Sequence, residues 1–336
     1  MHHNHSHAGN HNHSRVGNRT DNRTLKSSTK SALFAMTTVF LWSSAFPITK
    51  IAAQSFAPNA LGLFRCTLAA VILLGIGCKN HLNKPKKPAH ILLFLLSGGL
   101  GFTLYMLFFN TGMLTLNSAV ASLIIATTPV LTAVGASVLY HEKIRPAGWC
   151  AIAAAFGGVA ILLLSDIAVS GSGTSGSAGS GSGITGNEIA MGSGLLFMIG
   201  AAIVFCGYNL LNRKLLSMGY TAVETVTWSM VCGALLLMFF LPQTLPQIGQ
   251  AAASCLPALA AAVYLGAMPS ATAYLMWSRA FSLAEKTSDV TNFQFLTPLL
   301  STAMGFAMLG EIPSLSTIAG GLVIIASLVV FSRKGR

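Results

Sequence analysis

Long apolar runs separated by short polar segments fill the chain from residue 31 to residue 332. Each is close to twenty residues, the length at which a helix rising ~1.5 Å per residue crosses a hydrocarbon core of ~30 Å. Ten such runs cover 31–53, 58–78, 90–112, 117–140, 146–165, 189–212, 221–241, 256–281, 287–309 and 314–332. Apolar and polar residues do not alternate at period two within them, which disfavours an outer-membrane barrel. The pattern predicts an all-α integral membrane protein with ten transmembrane helices. The first run follows a polar tail, residues 1–30, and has helix length, so it reads as a retained helix rather than a cleaved signal peptide.

The chain also repeats itself. TTPVLTAVGASVLYHE, residues 127–142, is echoed by LTPLLSTAMGFAMLGE, residues 296–311, and each places a glutamate thirteen positions after its proline. The offset is 169 positions, and Tyr105 with Tyr274 and Leu114 with Leu283 share it. The third run carries Gly98, Gly99 and Gly101 where the eighth carries Gly266 and Pro269. Five helices per half is an odd number, so the second copy must lie upside down relative to the first. The expected organisation is a first five-helix repeat over 31–165, a linker over 166–188, a second repeat over 189–332 and a basic C-terminus at 333–336. The linker contains SGSGTSGSAGSGSG, a flexible coil by composition. Inverted repeats are an architecture of secondary transporters, with the substrate held near the midplane between the halves.

Composition agrees with the membrane reading: 53% of residues are hydrophobic and only 8% charged. A formal charge of +12 would suggest nucleic acid in a soluble protein, but the placement of the charges argues otherwise. All 20 Lys and Arg except Lys50 and Arg65 fall in the tail, at the C-terminus, or in and beside alternate loops. By the positive-inside rule both termini are cytoplasmic, the linker is external, and the ten-helix count gains support independent of hydropathy. The partners implied are a small-molecule substrate and the lipid bilayer, with no nucleic acid. The six cysteines are scattered without a CxxC pair, so neither a disulfide framework nor a zinc site is expected. MHHNHSHAGNHNHS has six histidines that could bind a transition metal with low selectivity, yet its polar, Asn-rich composition predicts a disordered tail.

FLWSSAFPITK, APNALGLFRCTLAA and the two echoed segments resemble, in order and spacing, the EamA-type transporters of the drug/metabolite transporter superfamily. The resemblance spans about residues 31–332. It implies two five-helix repeats around a central cavity lined by both, and export of amino acids and related metabolites across a bacterial inner membrane. The halves differ where this pattern would pair them: Trp42 and Arg65 in the first repeat face Phe205 and Trp228 at the matching places of the second.

Arg65 stands about seven residues into the second helix, without an Asp or Glu at its depth in the first five. A cation there is costly, and such residues face a bundle interior or a wet cavity. It meets either a substrate carboxylate or the carbonyls at a helix C-terminus. Trp42, Ser43 and Ser44 offer a stacking surface and hydroxyls to a cavity, or pack helices together. Tyr105, Tyr208, Asn209, Tyr274, Trp277, Asn292 and Gln294 complete the substrate-binding candidates. Trp277 could equally be packing or an interfacial anchor, and Asn292 and Gln294 interhelical glue. Lys50, near a helix end, reads as snorkelling to the interface. Pro129 and Pro298 read as interior prolines and candidate hinges that free the carbonyls of Ile125 and Gln294, with the Thr128 and Thr297 hydroxyls at hand to satisfy them. Prolines are also commoner in membrane helices generally.

Two other functions compete. Metal efflux fed by the histidine tail would need ligands in the helix interiors, where Asp, Glu and His are not clustered. A non-transporting anchor or sensor is the other. An enzyme would need a nucleophile, base or metal constellation, and neither HExxH nor paired mid-helix carboxylates occur. No catalytic residue, metal site or cofactor is called for.

Overall fold

The computed structural model describes residues 10–79, 82–85, 87–140, 144–171, 186–284, 290 and 292–334. These residues are helical almost throughout and contain no strand. Seven helical stretches among them are long and apolar enough to cross a membrane, and three shorter apolar helices, Pro146–Ile161, Phe293–Leu309 and Leu315–Phe331, accompany them. The histidine-rich residues 1–9, most of the linker (172–185) and the C-terminal 335–336 lie outside the described residues.

α1 (Asn10–Ala52) carries its apolar span at Thr29–Ala52. Composition predicts coil as far as residue 30, but the backbone is already helical at Asn10. No proline interrupts residues 10–30, so nothing stops a helix propagating back from the span. α2 (Pro58–Lys79) is followed by α3 (Pro88–Gly98), a π-helical turn over Gly99–Leu104 and α4 (Tyr105–Gly112). The matching stretch of the second half has the same plan: α11 (Leu256–Leu265), a π-turn over Gly266–Thr272 and α12 (Ala273–Leu283). The glycines and Pro269 that interrupt these runs therefore mark π-turns, a feature found often at functional sites. The first ends directly before Tyr105 and the second two residues before Tyr274.

The echoed segments are broken helices. α5 (Ser118–Ile125), capped by the Asn117 side chain accepting from the Val120 amide, stops at Ala126–Thr127, and α6 (Thr128–Tyr140) begins afresh. In the second half a 3₁₀ turn over Asn292–Leu296 leads into α13 (Thr297–Leu309), which closes on Gly310 at φ 67°. This corrects the reading of Pro129 and Pro298 as interior prolines. Each is the second residue of a new helix, where a missing N–H costs no ladder bond. The Thr128 hydroxyl donates to the Ile125 carbonyl at 2.6 Å, the service expected of it.

α7 (Pro146–Gly171) packs along α14 (Leu315–Lys334), while α8 (Gly186–Ser217) and α9 (Ala222–Leu237) join α2 and both π-turns around the main core. A helix that hydropathy did not suggest, α10 (Leu241–Ser254), follows a 3₁₀ turn at Met238–Phe240. Its two prolines and three glutamines lower its hydropathy, but Leu241, Leu245 and Ile248 recur at helical spacing. It closes over the α1–α2 loop, where Gln247 accepts from the Ala57 amide and Gln243 from the Asn59 side chain.

Candidate functional site

A central cavity opens between the two halves of the chain. α1, α2, α4 and the α5–α6 break supply Trp42, Phe46, Arg65, Tyr105, Phe109 and Ala126, and the second half supplies Phe205, Pro269, Tyr274, Gln294 and Thr297. The free space is about 30 Å³, room for a few water molecules only. Its walls are aromatic. Trp42 packs edge-on to Phe205 and Tyr274 with ring centroids 5.6 and 5.3 Å away, and Tyr105 lies 5.0 Å from Phe205. The Trp42 indole N–H is spent on the Pro269 carbonyl at 3.1 Å, a carbonyl inside the second π-turn. Trp42 thereby ties α1 to that turn.

Arg65 is the charged residue of this wall and is only 3% exposed. Its Nε donates to Ser270 Oγ at 3.3 Å and its Nη1 to Asn110 Oδ1 at 3.2 Å, and its Cζ lies 6.0 Å from the centre of the Phe109 ring. Asn110 is held in turn, donating from Nδ2 to the Pro58 carbonyl. A guanidinium has five N–H groups, and these two bonds leave three without a protein partner among the described residues. No carboxylate pairs with it: the ion pair among the described residues joins Lys50 to Glu311. The alternative of helix C-terminal carbonyls is not what the geometry shows, since both acceptors are neutral side chains. A guanidinium with spare N–H groups can bond a carboxylate or another planar anion in bidentate fashion.

The structure brings together Trp42, Arg65, Tyr105, Tyr274 and Gln294 on this cavity. Ser43, Ser44, Tyr208, Asn209 and Trp277 are buried nearby but do not line it. Ser43 donates back to the Val39 carbonyl and lies 3.5 Å from the Thr297 carbonyl of α13, and Ser44 bonds the Leu41 carbonyl and the Tyr264 hydroxyl of α11, so both join α1 to a neighbouring helix. Trp277 stands behind Trp42, ring centroids 5.0 Å apart, and Tyr208 stacks on Phe205 at 5.6 Å. Trp228, at the place in the second half that matches Arg65, does not line the cavity; it donates to the Asn83 carbonyl. The Asn292 side chain lies outside the described residues. Asn110 and Ser270, the two residues that hold Arg65, escaped sequence reasoning; a lone Asn in the apolar run 90–112 was the available signal.

Lys50 does not snorkel. Its Nζ meets Glu311 Oε1 at 2.5 Å, and Glu311 Oε2 accepts from the Ser118 amide at the start of α5. One carboxylate thus joins α1, α5 and the turn after α13, while Ser301 donates to the Ser118 carbonyl beside it. Burial pushes the Glu311 carboxyl upward, but the hydrogen bonds from Lys50 and Ser118 outweigh it and hold the group below its ordinary value. A lowered carboxylate stabilises the fold above the unfolded pKa of ~4.3 and loses that contribution as pH falls through the folded value. The junction is therefore expected to be intact at pH 7. Glu311→Gln should speed amide hydrogen exchange in peptides containing Ser118, with no change around Arg65. In the wild type the same acceleration should appear only below about pH 4. Unaltered exchange at Ser118 in the variant would show that the carboxylate does not hold this end of the bundle.

Comparison with known proteins fits this arrangement. The profile of the EamA-like transporter family matches residues 29–164 and again residues 192–333. A probable terminal-alkyne amino-acid exporter of Streptantibioticus cattleyicolor is 26% identical over 306 residues, covering 91% of this chain and 94% of its own. A probable amino-acid metabolite efflux pump of Salmonella typhimurium is 23% identical, covering 90% and 95%. A solved crystal structure superposes with a TM-score of 0.59 at 19% identity over 90% of this chain and 96% of the other, a likeness of fold.

Proposed function

Because the chain belongs to the EamA-like transporter family, we propose that it is a secondary transporter exporting a small carboxylate-bearing metabolite, an amino acid or close relative, by alternating access. Arg65 carries this reading: a buried cation with no acidic partner and three N–H groups to spare, on a cavity walled by aromatic rings. Metabolites that suit such a wall pair a carboxylate with an apolar body. The names of the Streptantibioticus and Salmonella relatives, an amino-acid exporter and an amino-acid metabolite efflux pump, agree with that class. The cavity is too small for a metabolite as it stands, so loading requires the walls to part. Paired π-turns and paired helix breaks, one of each kind per half, supply interruptions at which helices can rock.

The protein would sit in a bacterial inner membrane with ten crossings in two inverted repeats, both termini cytoplasmic and the linker outside. Basic residues in alternate loops support this orientation. A cytoplasm-active reporter fused at Gly176 should stay silent, and one fused after Arg336 should be active; the opposite pair of signals would invert the topology. Transport itself is tested by loading proteoliposomes with a labelled apolar amino acid and following its loss. Faster loss than from equally loaded protein-free liposomes, sharply reduced by Arg65→Gln, is the expected result, and identical loss from all three preparations would refute the assignment.

A further inference from the structure

Three walls of the cavity run into one junction at the end of the bundle. On α1, Trp42, Phe46 and Lys50 recur every four residues; the first two line the cavity and Lys50 lies one turn beyond it. Ala126 lines the cavity where α5 ends, and Ser118 stands at the opposite end of that helix, about two turns away. On α13, Thr297 lines the cavity and Ser301 follows one turn later. The three rows meet at Glu311. Its Oε1 takes the Lys50 ammonium, its Oε2 accepts from the Ser118 amide, and Ser301 donates to the Ser118 carbonyl at 3.0 Å. Lys50 and Ser118 belong to the first half of the chain, Glu311 and Ser301 to the second, so each of these bonds ties one half to the other.

The packing at the junction is tight. A β-carbon added at Gly305 of α13 would lie 2.7 Å from Glu311 Oε2 and 3.1 Å from Ser118 Cβ, so the two halves touch where a side chain would otherwise stand. The charges, by contrast, are within reach of water, the Lys50 and Glu311 side chains being 27% and 16% exposed. An ion pair that water reaches is a weak bond, and a closure that opens in every cycle needs a bond of that kind. A wholly buried pair would leave two unsolvated charges on parting. On the orientation proposed above, Lys50 stands near the end of the first crossing and the junction lies at the outer face.

We propose that the Lys50–Glu311 pair, with the Ser118 amide, is the outer gate of the cavity: the halves part here to release the substrate, and the pair closes again as the cavity turns to the cytoplasm. The inference rests on the alternating-access reading, and its test needs no substrate. Removing a bond made only while the outside is closed shifts the population toward the outward-open state at the expense of the inward-open one. Ala126→Cys, on the cavity wall and 1% exposed, is placed in the full-length chain with its six native cysteines replaced by alanine. A membrane-impermeant maleimide is then added from outside to whole cells and from the cytoplasmic face to inverted vesicles. Lys50→Met and Glu311→Gln should each speed labelling from outside roughly three- to tenfold, the scale of one weak charged bond, and slow it from the cytoplasmic face. Lys50→Arg keeps the charge and should label as slowly as the parent. Gly305→Ala leaves both charges but crowds the carboxylate away from the Ser118 amide; it should act in the same direction as Glu311→Gln, and it decides the matter alone if the charge variants fail to accumulate. Unchanged labelling from outside, faster labelling from both faces, as a loosened fold would give, or Lys50→Arg labelling as fast as Lys50→Met would overturn the proposal. The efflux assay keeps the two readings apart. A wild type that exports no amino acid while labelling shifts as expected would fault the transport reading and leave the outer closure standing, and unchanged labelling in a protein that exports would fault the gate alone.

Discussion

Replacing Arg65 with glutamine is expected to weaken binding of a carboxylate substrate roughly ten- to hundredfold, the value of a lost charge-assisted hydrogen bond at ~1.5 to 3 kcal/mol. Arg65→Lys should fall between the variant and the wild type, because an ammonium keeps the charge but loses the planar fork that grips two oxygens at once. The control lies in the ligand. An amide of the same metabolite should bind the wild type poorly and lose little more on mutation. Arg65 also bonds Ser270 and Asn110, so a purely structural role makes a different forecast: both ligands would suffer alike, or the protein would fail to accumulate. Both acceptors are neutral, so removing the guanidinium leaves no buried charge unpaired. Accumulation of Arg65→Gln should therefore stay close to normal, measured as membrane abundance before binding is compared.

The largest structural effect is expected at Gly98, where α3 crosses α9. A β-carbon added there would lie 2.4 Å from the Ser229 carbonyl oxygen and 2.7 Å from the Gly233 nitrogen, both backbone atoms that cannot rotate away. The seam is polar as well as tight: Ser229 donates to Ser97 at 2.9 Å and Thr103 to the Gly233 carbonyl at 3.0 Å. Small residues and hydroxyls of this kind bring membrane helices into close contact. Gly98→Ala must push the helices apart at the residue that precedes the first π-turn, losing those bonds and shifting Tyr105 beyond it. Overpacking costs about 1 to 3 kcal/mol, sometimes more, and here should appear as a lower melting temperature and reduced membrane abundance. Gly75→Ala and Gly157→Ala serve as controls, since nothing lies within 4 Å of an added β-carbon at either. A Gly98→Ala protein as stable as these controls would show that the α3–α9 seam is not closely packed.

Hydropathy and the internal echo disclosed the helical membrane character, the matched interruptions and five of the cavity residues, because burial in lipid and repetition both leave marks on the chain itself. Direction around each helix was harder to read. At 3.6 residues per turn a one-residue register change rotates a side chain by about 100°, and the π-turns at Gly99–Leu104 and Gly266–Thr272 introduce such a change just before Tyr105 and Tyr274. Trp277 and Tyr208 looked as eligible as Trp42, yet they form the layer behind it. Prolines were legible as breaks but not as helix starts, since a proline fits either the interior kink or the first turn. The Lys50–Glu311 pair spans 261 positions, and only packing could join them.

The central claim is that Arg65 holds the substrate's carboxylate in the cavity between the two halves, and a structure with a transported acid bound examines it most directly. The carboxylate is expected within hydrogen-bonding distance of the N–H groups that Ser270 and Asn110 leave free, with the apolar body against Trp42, Phe205 and Tyr274. An acid bound elsewhere, for instance in the open cleft beside Gln54, Gln247 and Gln250, with Arg65 touching only Ser270 and Asn110, would contradict the account.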